Sequence, residues 1–130
     1  MLVADRDRGF CAAAEAVLAG NERVQVVGCA HDGPQALALA ASLVPDLVLL
    51  GIGLPLLDGV SVARRLRQLR QGTLVVLVGG VEDDAFADAE RRSGATAFLK
   101  RDAQLFENLE LTLALASVTA LLAAEDESLQ

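Results

Sequence analysis

Tryptophan and tyrosine are absent from this chain, and four phenylalanines are its only aromatic residues. A core must therefore come mostly from leucine, valine and alanine, which dominate the 53% of residues that are apolar. Charge is sparse as well, at 22% of residues, and acids outnumber bases to leave a net charge of −7. That balance argues against a nucleic-acid-binding surface, which carries a basic excess. The apolar content keeps the chain well away from disorder. Only two cysteines occur, Cys11 and Cys29, and they lack CxxC spacing. A structural disulfide stays open, but buried free thiols in a reducing compartment are the preferred reading. His31 is the single histidine, so no histidine pair can ligate a metal; it reads as an exposed loop residue. No apolar run approaches the ~18 residues of a membrane span. The start, Met1-Leu2-Val3-Ala4, lacks the basic and apolar regions of a signal peptide. The expectation is a cytoplasmic protein without membrane association.

What is present is regular. One hundred and thirty residues suit a single domain, large enough to fold without a disulfide or a metal. Leu2-Val3-Ala4 predicts a short strand ending at Asp5-Arg6-Asp7. Phe10, Ala13, Ala14, Val17 and Leu18 recur at helical spacing, and Gly20-Asn21 stops that helix. Val24 to Ala30 reads as a second strand. Asp32-Gly33-Pro34 opens a helix, with proline where its missing N–H costs nothing, and Ala36 to Leu43 continues it. Leu47 to Leu50 is continuously apolar, as in a parallel strand buried on both faces. A loop from Gly51 to Gly59 leads to a helix over Val60–Leu69. Leu74–Val78 predicts a strand, Asp84–Arg92 a helix, Thr96–Leu99 a fifth strand, and Leu105 onward a long final helix.

The order is (βα)5. Right-handed crossovers then require an α/β fold, a doubly wound parallel sheet with helices on both faces. Sites in such folds lie at the carboxyl ends of the strands. Here those ends are Asp5-Arg6-Asp7, Gly51, Val78-Gly79 and Lys100-Arg101.

The run from Asp46 to Gly59 resembles the PDLVLLDIxMPxMDG stretch of bacterial response-regulator receiver domains. Gly94 to Leu99 is similar to their GAxGYL segment. Val26-Val27-Gly28, with Asp32-Gly33 and Ala36-Leu37, resembles VVGEAxDGxxAL, typical of receivers with a helix-turn-helix output. The resemblance covers nearly the whole chain. It implies a flavodoxin-like receiver fold over residues 1–124, with 125–130 an acidic tail or the start of a linker.

An active member of that family carries a nucleophilic Asp after strand three and an acidic pair after strand one for Mg²⁺. It adds a Ser or Thr after strand four and a Lys after strand five. Metal and lysine neutralise charge on the transferring phosphoryl group. In this chain Asp5 matches the first acid, and Phe98 matches the aromatic switch position. Four positions depart. Gly51 stands for the nucleophile, Arg6 for the second acid and Val78 for the hydroxyl; by spacing from Phe98 and Asp102, Arg101 stands for the lysine. A one-residue slip would give that last role to Lys100. Without a carboxylate at position 51 there is no acceptor atom, so no catalytic residue, metal or cofactor is expected. Asp7 could substitute as a ligand, but a guanidinium beside it makes a poor cation site.

Three readings of the altered pocket stay open. Arg6, with Arg101, pairs with Asp5 and Asp7 as a built-in cation that locks one state; or the residues have drifted; or the pocket binds a small anionic ligand. Gly51-x-Gly53 does not suit a dinucleotide loop, because the third glycine would fall at Leu56. Arg64, Arg65, Arg67 and Arg70 read as a basic patch or, preferably, as a solvated helix face.

On the final helix, Leu105, Leu109, Leu113, Ala116 and Ala120 form a core stripe. Leu111, Leu115, Val118 and Leu122 form a second stripe, roughly 140° away at about 100° per residue. One docking on the sheet cannot bury both, so the second is expected to be a homodimer interface. Packing inside the domain, or against a missing one, is the competing account. The sequence thus points to a phosphorylation-independent interaction module that is not an enzyme. Its expected partners are a second copy and other signalling proteins, with DNA reached only through a domain beyond Gln130. A sensor of an anionic ligand is the alternative, and phosphorylation on Asp5 or Asp58 is a geometrically poor rival.

Overall fold

The computed structural model describes residues 1–80 and 94–115. The helix expected over Asp84–Arg92, the positions Ala116, Val118, Ala120 and Leu122, and the tail 125–130 lie outside those residues. Five strands are described: β1 (Leu2–Ala4), β2 (Gly28–Ala30), β3 (Leu47–Gly51), β4 (Leu74–Gly79) and β5 (Ala97–Lys100). Helices α1 (Arg8–Leu18), α2 (Gly33–Leu43) and α3 (Gly59–Leu69) follow the first three strands. A further helix, α4, runs over 105–115. The strands form one parallel sheet in the order β2-β1-β3-β4-β5. This is the expected doubly wound, flavodoxin-like arrangement.

The core lies in two layers, one on each face of the sheet. Val3, Leu49, Val76 and Leu99 face α1 and α4, meeting Cys11, Ala14, Leu105 and Leu109. Leu2, Leu50, Val75 and Leu77 face α2 and α3, meeting Ala36, Ala40, Val62 and Leu66. Successive strand residues point to opposite faces, so a strand buried on both sides reads as unbroken apolar sequence.

All three complete helices start from an aspartate. Asp7 accepts the Gly9 N–H, Asp32 the Gln35 N–H at 2.7 Å, and Asp58 the Ser61 N–H at 2.9 Å. Such caps satisfy N–H groups that have no partner within the helix. They also explain why α1 starts at Arg8, before Phe10, and why α2 and α3 start at Gly33 and Gly59.

The second strand is shorter than expected, Gly28–Ala30 in place of Val24–Ala30. Its partner β1 begins at Leu2, opposite Gly28. Beyond that point Val27 N–H donates to the Met1 carbonyl, and the Met1 ammonium donates to the Gln25 carbonyl at 2.6 Å. No β1 residue remains to pair with 24–26. Val24 is nevertheless buried, which accounts for the apolar pattern there. The fifth strand is offset by one, because the Thr96 hydroxyl accepts the Val75 N–H just before the ladder starts.

On α4, Leu105 and Leu109 are buried and Leu113 packs against them. Leu111 and Leu115 are 63% and 69% exposed. The two stripes thus separate over the described part of this helix. Among the described residues, no helix is long and apolar enough to cross a membrane.

Candidate functional site at the carboxyl edge of the sheet

Parallel strands deliver their carboxyl ends to one edge, and Asp5, Gly51, Val78 and Arg101 meet there. Asp5 follows β1 and is 1% exposed. Its backbone is fixed from both sides: its N–H donates to the Ala30 carbonyl, and its carbonyl accepts from His31 Nδ1 at 3.0 Å. His31 is therefore a half-buried brace rather than the exposed loop residue expected. The Asp5 carboxylate is equally committed. Oδ1 accepts the Asp7 N–H at 2.9 Å, and Oδ2 receives Arg101 Nη2 in an ion pair.

Arg101 reaches the site because its N–H donates to the Gly79 carbonyl at 2.8 Å, continuing the β4–β5 register by one residue. Its guanidinium lies over the Phe10 ring, with Cζ 4.3 Å from the centroid. Phe10 stacks in turn on Phe106 of α4, with centroids 6.1 Å apart. Cation, ring and ring tie the edge of the sheet to α1 and α4. Lys100, the other candidate from spacing, is exposed on β5 and does not line the cleft.

Gly51, the last residue of β3, completes the arrangement by what it lacks. A Cβ there would lie 2.4 Å from Asp5 Oδ2 and 3.4 Å from Arg101 Nη2. The Asp5–Arg101 pair fills the space into which a side chain at 51 would project. Val78 is buried beside it, and its side chain offers no polar atom. In front lies an open cleft of about 380 Å³, lined by Arg6, Asp7, Ile52, Gly53 and Gly80 among others. Arg6 is exposed and forms no ion pair among the described residues, so the pairing expected of it belongs to Arg101. Phe98 is half-buried on the other side of the sheet, against the α2–α3 core.

The residues do not fit a divalent cation. Both Asp5 oxygens already hold donors, a resident cation sits on one of them, Asp7 caps α1, and Gly51 contributes no ligand. A hard ion needs several free oxygens. Among the described residues, no group of three or more His, Cys, Asp or Glu is set to hold a metal.

Behind α1 lies a second titratable cluster. The Cys29 thiol donates to Glu15 Oε1 at 3.4 Å and lies against Cys11. Burial, then the Glu15 carboxylate, pushes the Cys29 thiol up to about 12. Burial also raises Cys11. Both are free thiols; Cys11 is buried, as preferred from the sequence, whereas Cys29 is only partly so. What the sequence did not reveal is Phe10: it reads there only as a helical apolar position. Nothing local links it to an arginine so distant in sequence.

The profile of the response regulator receiver domain matches residues 1–112. The chain is 34% identical over 94 residues to the response regulator GacA of Pseudomonas aeruginosa, covering 72% of this chain and 44% of that protein. It is 35% identical over 91 residues to the transcription regulator BvgA of Bordetella pertussis, covering 70% and 44%. It thus spans less than half the length of these curated relatives. The receiver domain of NarL from Mycobacterium tuberculosis superposes with a TM-score of 0.78 at 31% identity, covering 89% of this chain and 94% of that one. The doubly wound sheet, the strand-end cleft and these matches agree: the chain belongs to the response regulator receiver domain family.

Proposed function

We propose that this chain is an aspartate-less, atypical receiver: a phosphorylation-independent module for protein–protein contact, without enzymatic activity of its own. One observation carries the reading. The Asp5–Arg101 pair fills the volume beside Gly51, so the position expected to accept a phosphoryl group has neither an acceptor atom nor room for one. Arg101 supplies a permanent positive charge where a metal and a lysine would act in an active relative. The state of the domain is then set by sequence and not by phosphate. The receiver-sized match to longer transcription regulators supports an output such as transcription, with DNA contacted by a domain following Gln130 and the whole protein in the cytoplasm.

Self-association is the second part of the proposal. Leu111 and Leu115 are exposed on α4, and the same stripe continues in sequence through Val118 and Leu122. A homodimer through this helix would cover it. The anionic-ligand alternative is weakened by the charge balance of the cleft, where Asp5 already neutralises Arg101 and Arg6 stands near Asp7.

The decisive experiment is intact-mass spectrometry after incubation with acetyl phosphate and Mg²⁺. An unchanged mass is expected. A stable phosphoryl adduct on any carboxylate, Asp5 and Asp58 included, would overturn phosphorylation independence.

A further inference from the structure

The helix α2 carries no charged residue from Gly33 to Leu43, yet Ala38, Ala41, Ser42 and Leu43 are exposed on it. A surface helix ordinarily sets charge on its outer face, and an uncharged one is normally covered. Beside it, α3 has no acid and presents Arg64, Arg65, Arg67 and, at its cap, Arg70. These four are a large share of the 11 basic residues of a chain whose net charge is −7, so α3 is the most basic of the described helices.

The apolar stripes of both helices also run past the core. On α3 the buried residues Val62 and Leu66 are followed by Leu69, which is 72% exposed. On α2 the buried residues Ala36 and Ala40 are followed by Leu43 and Val44, both exposed. The α3 overhang rims a groove of about 220 Å³, floored by Leu37, Ala40, Ala41 and Leu66 and edged by Leu69 and Arg70. Arg67 braces its end, with Nη1 donating to the Gln71 and Thr73 carbonyls. Pro45 and Thr73, which also line it, precede β3 and β4, so the groove lies at the opposite end of the sheet from Asp5.

We propose that this α2–α3 groove docks a partner-protein segment bearing leucine-type side chains flanked by acidic residues. The groove is smaller than the roughly 300 Å³ at which small-molecule pockets begin, and it suits an anchoring aliphatic side chain. Carboxylates on the partner meet Arg65 and Arg70, and α2 presents no charge to desolvate. A second copy of this chain fits badly, because a two-fold interface would set one arginine row against the other. Nucleic acid fits badly too, since α2 and Leu69 have nothing to offer phosphates. The proposal does not depend on the phosphorylation state of the distant cleft.

The test uses the full chain, isotopically labelled, and a synthetic amphipathic peptide with leucine on one face and glutamate on the other. Counter-peptides carry lysine for glutamate or alanine for leucine. Saturable binding of the acidic peptide is expected, with amide shifts confined to α2 and α3. Leu69→Glu and Ala41→Glu, both exposed and so neutral to folding by circular dichroism, should each weaken it about tenfold or more, or 1.4 kcal/mol. Val17→Glu, on the exposed face of α1, should leave it unchanged. No binding, equal binding of a counter-peptide, or shifts centred elsewhere would overturn the proposal. So would loss of self-association in Leu69→Glu, which would make the face a contact between copies.

Discussion

Asp5 is almost fully buried, and an isolated carboxylate in such a place costs several kcal/mol unless a partner and hydrogen bonds compensate. Arg101 and the Asp7 N–H supply that compensation. The Arg101 side chain keeps 37% of its surface in water, so its own desolvation is modest. Arg101→Ala is expected to destabilise by about 2 kcal/mol, below the value for a fully buried pair. Gly51→Ala should cost about 1–3 kcal/mol, because Asp5 must swing off Arg101 to admit the methyl group. The double substitution should cost less than the sum, since both changes break one pair. Urea unfolding followed by circular dichroism measures all three, as the chain has no tryptophan or tyrosine to report by fluorescence. The sequence shows that residue 51 carries no carboxylate but left Lys100 and Arg101 undecided, because one residue of register separates them; in the structure it is Arg101 that reaches Asp5. Cys29 gives a pH signature. Its folded value is raised from an ordinary 9.0 to about 12, so the folded state holds the proton longer. The stabilisation is fully present below pH 9.0 and is lost as pH rises towards 12. Cys29→Val should flatten the fall of melting temperature across that window.

Elements were legible where local chemistry decides them. Apolar runs buried on both faces mark β3 and β4, and Asp32-Gly33-Pro34 marks the start of α2, whereas the Asp7 and Asp58 caps that open α1 and α3 went unread. Boundaries slipped where the partner decides: Val24 to Val27 looks like strand, and the length of β1 denies it a ladder. Over 105–115 the two stripes of α4 were legible from periodicity alone. Whether a second copy covers Leu111 and Leu115 is read from the mass in solution. Light scattering after size exclusion is expected to show a concentration-dependent dimer that Leu115→Glu converts to a folded monomer. A parent that stays monomeric at every concentration would sink the interface, and a Leu115→Glu chain that unfolds would assign the stripe to packing within the domain.

Among the described residues a single sheet lies between two cores, and neighbouring residues of one strand serve both. Leu49 faces α1 and α4, whereas Leu50 faces α2 and α3. The layers cannot come apart without breaking β3. Leu49→Ala and Leu50→Ala should each cost about 2–5 kcal/mol and shift the same single unfolding transition. Two separable transitions would mean the cores are independent. At this scale the fold was readable, because the order (βα)5 and handed crossovers leave few arrangements. The distribution of charge was not. A net value of −7 conceals a basic face on α3, and composition carries no information about where like charges gather.

The crowding at Gly51 also bears on how such a chain changes over time. A single substitution that introduced a carboxylate at position 51 would meet the Asp5–Arg101 pair, lose stability and gain no metal. Removing Arg101 first would strand Asp5 instead. Each first step leads downhill in fitness for folding, so a carboxylate at position 51 requires several coordinated changes. Local packing around Gly51 works as a ratchet against it.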